Sequence, residues 1–170
     1  METIINNKHS LTDSDITEVV KRVKVLLINS NNEILLGYSH NEYQFPGGHV
    51  EESESLIEAV NREIQEETGL LLNVDNIEPF ACSVGYWKDH PEVGKNRKTE
   101  IYFYEVFCDL KPDLAKVEYT EHEKDGNFEL RYISLDKIEE ELINNSNQYG
   151  DKHGITKEML SLLELYKKNR

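Results

Sequence analysis

The stretch GGHVEESESLIEAVNREIQEETGL, Gly47 to Leu70, decides how this chain reads. Pro46-Gly47-Gly48 interrupts regular structure, Ser53 is placed to cap a following helix, and Gly69 is a natural C-cap. On a helix at about 100° per residue, with Val60 at zero, Leu56, Val60 and Ile64 fall at roughly −40°, 0° and +40°. Glu67 falls at about −20°, inside that apolar stripe, Glu63 at about −60° on its edge, and Glu66 at about −120°. Arg62, Glu58 and Gln65 lie on the far side.

A solvated helix keeps its carboxylates opposite its apolar stripe. Here three carboxylates share one turn, where like charges at i,i+3 and i,i+4 repel. A carboxylate aimed at a core edge also carries a desolvation cost unless something compensates it. A divalent cation that prefers oxygen, magnesium or manganese, supplies that compensation. Arg62, one turn from Glu58 and Glu66, can pin a carboxylate but sits too close to solvent to neutralise the whole cluster. The glycine pair lets the backbone turn tightly against a ligand, offering carbonyls to a metal or amides to a phosphate. A glutamate-rich helix by itself reads as a solvated face and Gly-Gly by itself as a turn; the combined spacing separates this stretch from both.

That spacing is G-x5-E-x7-R-E-U-x-E-E-x-G-U, with U apolar, and Gly48, Glu54, Arg62, Glu63, Ile64, Glu66, Glu67, Gly69 and Leu70 fill every fixed position. The stretch therefore resembles the box of the Nudix hydrolase family, without departure, over 23 of the 170 residues. The resemblance implies an α/β fold with a mixed β-sheet sandwiched between α-helices. It implies divalent-metal-dependent cleavage of a pyrophosphate bond in a nucleoside diphosphate linked to another moiety. Glu63, Glu66 and Glu67 match the metal-binding glutamates, the Gly47 carbonyl a backbone metal ligand, and Arg62 the arginine that orients the neighbouring glutamate. Glu54 matches a mainly structural acid at the helix start, and Gly48 and Gly69 the turn glycines. Mg2+ or Mn2+ is the implied cofactor. The general base is a box glutamate or an acid on a distant loop; of Glu118, Glu121, Glu123 and Asp125, Glu123 lies close to the matching position. Tyr86, 16 residues past the box, resembles a marker of some dinucleoside polyphosphate hydrolases.

The chemistry is physically coherent. A pyrophosphate repels a hydroxide nucleophile; metals bridging its oxygens neutralise that charge, fix the phosphorus and lower the pKa of bound water. Positioning and electrostatics then carry most of the acceleration.

Outward from the box, Val19–Asn29 reads as a strand, Asn31-Asn32 as a turn, and Glu33–Tyr38 as the return strand of a hairpin. Leu70–Val74, Phe80–Trp87, Thr99–Cys108 and Phe128–Ile133 read as further strands. Residues Met1–Ser14 read as a polar lead-in, Lys111–Asn127 as a long charged loop and Asn144–Gly154 as turn-rich. Leu135–Ile143 reads as a helix, and Ile155–Lys168 as an amphipathic final helix. No repeat interrupts the chain, which reads as one domain over residues 1–170. Tyr86 and Trp87, followed by Lys88, Lys95, Arg97 and Lys98, offer aromatic and cationic groups to a base and its phosphates; Tyr86, Trp87, Lys88 and Arg97 are the candidate substrate contacts. An ordinary exposed hairpin is the competing account of that segment. Tyr38 and Phe45 are further candidates for the base pocket, with core packing the stronger reading of Phe45.

Lysine and arginine total 19 against 33 acids, a formal charge of −14. So acidic a chain makes long nucleic acid a poor partner and a small nucleotide the better one, since a bound metal reverses the local sign. No apolar run approaches a membrane span and the N-terminus lacks an apolar leader, so a soluble cytoplasmic protein is expected. Cys82 and Cys108 form no C-x-x-C pair and read as reduced thiols. The six histidines show no zinc spacing, and there is no G-x4-G-K-[ST] loop. Two other functions compete: a Nudix-fold module that senses a nucleotide without cleaving it, and an acidic interaction domain. Oligomeric state, a homodimer included, is not legible. Within the enzyme reading, nucleoside triphosphates, dinucleoside polyphosphates, ADP-ribose-like sugars and RNA 5′ ends all remain open.

Overall fold

The strand β2 (Glu18–Ile28) serves two cores at once, because alternate residues of a strand face opposite sides of its sheet. Val23, Val25 and Leu27 face one core, and Leu26 and Ile28 the other. The computed structural model describes residues 1–169. In it β2 runs parallel to β6 (Arg97–Phe107) along its full length and antiparallel to β3 (Glu33–Ser39) at Leu27–Leu35 and Ile28–Ile34. Outward from β6 come β5 (Ala81–Trp87), antiparallel, and then β1 (Glu2–Asn6), parallel to β5. β3 also pairs antiparallel with β4 (Glu42–Gln44) and β7 (Glu129–Ser134).

Helices cover both faces. The box helix α1 (Leu56–Thr68) lays Ala59, Val60 and Ile64 on Val23, Val25 and Leu27. On the other face α3 (Ile138–Tyr149) and α4 (Ile155–Lys168) contribute Ile138, Leu142, Met159, Leu162 and Leu163 against Leu26, Ile28 and Phe103. The mixed sheet between helices is the expected architecture. A short helix, α2 (Glu121–Asp125), interrupts the charged loop before β7.

Five local expectations are corrected. Part of the polar lead-in is strand β1, an edge strand with mostly exposed side chains; backbone pairing to β5 holds it, so no burial pattern marks it. Leu70–Val74 is not a strand: Leu70, Leu72 and Val74 pack into the α1 core while the Asn61 amide exchanges 2.8 Å bonds with both backbone groups of Val74. Ser55, not Ser53, caps α1, in a capping box with Glu58, and Ser53 takes a positive φ of 69°. β4 stands where no strand was expected. α3 starts later and runs on through the asparagines read as turn-rich, because Asn145 is buried and holds the Asn41 carbonyl at 2.8 Å and the Tyr38 hydroxyl at 3.2 Å. Cys82 and Cys108 are both free thiols, as expected.

Candidate functional site

The Pro46–Gly48 loop is laid along β2 by two backbone bonds, Val25 N–H to Pro46 O at 2.8 Å and Val23 N–H to Gly48 O at 3.0 Å. Gly47 adopts a φ of 128°, and a Cβ there would stand 2.3 Å from the Val23 carbonyl, so only glycine fits. The two glycines meet the two inward carboxylates of α1. The Gly47 N–H donates to Glu67 Oε2 at 3.2 Å, and the Glu63 carboxylate lies so close over Gly48 that a Cβ would be 2.6 Å from its Oε1. The helical arithmetic holds: Glu67 is 4% exposed and Glu63 8%, while Glu66 stays half-exposed.

Arg62 does more than the sequence suggests. Its Nε and Nη2 hold both oxygens of Glu54 at 2.8 and 3.0 Å, and its Nη1 reaches Glu63 at 2.8 Å and Glu66 at 3.1 Å. Nη2 also donates to the His49 carbonyl at 2.7 Å, tying helix to loop. The bidentate grip of Glu54 raises the Arg62 pKa, so the guanidinium is permanently charged. Glu67 lies beyond its reach. Burial pushes the Glu67 carboxyl up to about 8, against the pull of Lys24 and with the charges of Glu123 and Glu63 adding to it. Burial likewise raises Glu63, with Arg62 opposing.

Lys24 is a site residue the sequence reading missed. Its Nζ donates to the carbonyls of Phe45 at 2.8 Å and Gly47 at 2.5 Å, and burial lowers its pKa. It holds the same glycine that Glu67 holds by its amide. The signal was present: Lys24 occupies the β2 row that continues as Leu26 and Ile28, where a strand of this kind places an apolar side chain.

Among the described residues no three His, Cys, Asp or Glu side chains are grouped so as to hold a metal ion. The donors the box carries, the Glu63, Glu66 and Glu67 carboxylates and the Gly47 carbonyl, are all oxygen, and the last already accepts from Lys24 Nζ. Such a set suits magnesium or manganese, which keep several waters and share their ligands between a few carboxylates and substrate phosphates.

The other candidates divide. Trp87 and Arg97 are register partners on the sheet face that carries Lys24; the Trp87 indole folds over Gly85, and Arg97 binds Glu18 at 2.8 Å. Tyr86 lies on the opposite face, its hydroxyl donating to Asp13 at 2.9 Å, so it is not brought together with Trp87 and Arg97. Lys88 is exposed in the β5–β6 connection. Phe45 is core, and Tyr38 is stacked by the Arg131 guanidinium 3.6 Å from its ring centre. Glu123 caps its own short helix, accepting from the Thr120 N–H at 2.6 Å and hydroxyl at 2.8 Å, near enough for its charge to act on Glu67.

A family model, the NUDIX domain, matches residues 19–151. The chain belongs to the Nudix family. Its box is thus a Nudix box in a Nudix-domain chain. The m7GpppN-mRNA hydrolase NUDT17 of Danio rerio is 34% identical over 118 residues, covering 56% of this chain and 38% of that protein. The chain therefore spans well under half the length of that relative. In fold, the chain is similar to the mutator MutT protein of Bacillus halodurans, with a TM-score of 0.53 at 20% identity over 71% of this chain and 72% of that one. It is also similar to DR0079 of Deinococcus radiodurans, with a TM-score of 0.53 at 17% identity over 85% of this chain and 80% of that one.

Proposed function

We propose that this Nudix chain is a divalent-metal-dependent hydrolase that cleaves a pyrophosphate bond in a nucleoside diphosphate linked to another moiety. The observation that carries the reading is the buried pair Glu63 and Glu67, in the second half of α1, packed against Gly48 and Gly47. Two carboxylates in that position raise each other's proton affinity and destabilise the charged state, and a divalent cation reverses both effects.

In this reading Glu63, Glu66, Glu67 and the Gly47 carbonyl hold Mg2+ or Mn2+, and the ion, when bound, supplies charge neutralisation and an activated water. Arg62 draws Glu63 and Glu66 to one nitrogen, fixing both carboxylates before substrate arrives. Lys24 and the Pro46–Gly48 ladder fix the Gly47 carbonyl. Glu123 is the general base; it takes the proton of the attacking water after releasing Thr120. Trp87 and Arg97 contact substrate on the sheet face beside the box, and Lys88 stands at its rim. Tyr86, on the far face, is the weakest of the proposed contacts.

The substrate panel that tests this contains nucleoside triphosphates, dinucleoside polyphosphates, ADP-ribose and 5′-capped RNA, the last because the zebrafish relative is named for cap hydrolysis. Each is incubated with magnesium, with manganese and with chelator, and phosphate-containing products are separated. Cleavage of at least one member only with metal is expected; cleavage unaffected by chelator would contradict the reading.

A further inference from the structure

We propose that Arg22, with His49 and Arg97, forms a phosphate subsite beside the box, which binds a phosphoryl group of the substrate next to those held through the metal. The inference rests on the pyrophosphate reading for the identity of the ligand, and on the following geometry for the site itself.

Along β2 the row facing α4 changes character. Leu26 and Ile28 belong to the core beneath α3 and α4, whereas Lys24 and Arg22, further toward the start of the strand, are cations. The β2–β6 register puts Arg97 on the same face, opposite Glu18. His49 joins through an isolated antiparallel bridge to Arg22, and its Nε2 lies 3.0 Å from Arg22 Nη2. A guanidinium only donates, so His49 Nε2 is the acceptor and Nδ1 carries the ring proton, leaving a second donor on the imidazole. Three cations and an imidazole N–H thus share one patch in a chain of net charge −14.

Neither Arg22 nor Lys24 is ion-paired among the described residues, but Lys24 gives its ammonium to the Phe45 and Gly47 carbonyls. Among the described residues Arg62, Arg97 and Arg131 each hold a carboxylate. Arg22 makes no such pair, and its Nε is buried with no hydrogen-bond partner. The acids whose charges act on Arg22 are Glu158 of α4 and Glu63 of α1, neither within ion-pair distance of it: Glu158 accepts from the Ser83 hydroxyl at 3.1 Å and Glu63 from Arg62 at 2.8 Å. A guanidinium beside two further cations, with a donor unmatched, lacks an anion with several acceptor oxygens. A phosphoryl group matches that geometry, because an arginine can hold two of its oxygens at once. The patch is also in register with the box: His49 follows Gly48, and its carbonyl is held by Arg62, which holds Glu63 and Glu66.

The test uses inorganic tripolyphosphate with chelator present, so that no metal-bound route contributes. Isothermal titration compares the full chain with Arg22→Gln and Arg22→Lys, and with citrate as a polyanion lacking phosphate. Thermal midpoints verify that each variant is folded; should Arg22→Gln fail to fold, Arg97→Gln carries the same comparison. The unaltered chain binds tripolyphosphate more tightly than citrate, Arg22→Gln weakens it on the order of tenfold or more, and Arg22→Lys falls between. Absence of metal-free binding, equal binding by Arg22→Gln, or citrate binding as tightly as tripolyphosphate would each overturn the subsite. Because no turnover is read, these outcomes are independent of the panel assay: a chain that cleaves its substrate but binds tripolyphosphate without need of Arg22 keeps the hydrolase reading and loses the subsite.

Discussion

Glu67 shows how one buried residue can cost the fold stability. Its carboxyl is buried without a cation in hydrogen-bonding contact, and its affinity for a proton is raised toward about 8. The sign of the consequence follows from linkage. Between the ordinary carboxylate range and about 8 the folded chain binds a proton there that the unfolded chain has released. Stability from this group is therefore full at low pH and is lost as pH rises through that window. In metal-free buffer the thermal midpoint of the unaltered chain should fall relative to Glu67→Gln between pH 5 and 8, a range of roughly that linkage window, so that Glu67→Gln is the more stable protein at the alkaline end. Parallel midpoint curves for the two proteins would refute the assignment. Arg62 acts at the same scale through other residues. Arg62→Gln frees Glu63 and Glu66 from their shared partner, and a loss of roughly 10–100-fold in kcat/KM or in metal affinity is expected, as for other groups that orient metal ligands. Full activity in that variant, with the fold retained by circular dichroism, would remove Arg62 from the mechanism.

Single elements explain why these residues arrive together. α1 begins at Ser55, whose hydroxyl accepts the Glu58 N–H while Glu58 returns the bond to the Ser55 N–H at 2.8 Å. It ends at Gly69 in the left-handed conformation, φ 69°. Ser55→Ala removes the cap and should cost about 1 kcal/mol in urea unfolding; no change in midpoint would mean that packing alone sets where the helix starts. The box helix was legible because its apolar stripe has a helical period and its glutamates break that stripe at Glu67 and Glu63. The same reasoning failed at Leu70–Val74, where alternate apolar residues pack in a core but Asn61, rather than a neighbouring strand, takes the backbone bonds of Val74. It failed at β1 for the opposite reason, since an edge strand held by backbone pairing leaves few traces in side-chain pattern. Asn144–Gly154 misled because asparagine favours turns locally, and a buried tertiary contact of Asn145 overrides that preference.

At the scale of the whole molecule, one sheet carries two cores, and the candidate site lies where the loop before α1 runs along β2. The α4 side is as much a part of the fold as the box side. Leu162 is fully buried there, and Leu162→Ala should lower the unfolding free energy by about 2–5 kcal/mol through the transfer and cavity terms. A loss below that range would mean α4 is not an integral part of the folded unit. The box itself was readable from 23 residues, whereas Lys24 and Arg22 acquire meaning only when β2, the Gly47 loop and β6 are in register. Among the described residues no helix is long and apolar enough to cross a membrane. The Tyr86 and Trp87 pair shows the limit of reading neighbours in sequence as neighbours in function: adjacent residues of a strand face opposite sides, and only Trp87 shares a face with Arg97.

The central claim is that buried box carboxylates act through a divalent cation to break a pyrophosphate bond. The measurement that tests it most directly is product release from the best panel substrate during a magnesium titration, run on the chelator-stripped chain and on folded Glu67→Gln side by side. Turnover that is absent without metal, rises to saturation as magnesium is added, and stays near background in Glu67→Gln is the predicted result. Equal turnover by the two proteins, or a folded chain that binds nucleotide yet cleaves no panel member at any magnesium or manganese concentration, would contradict it.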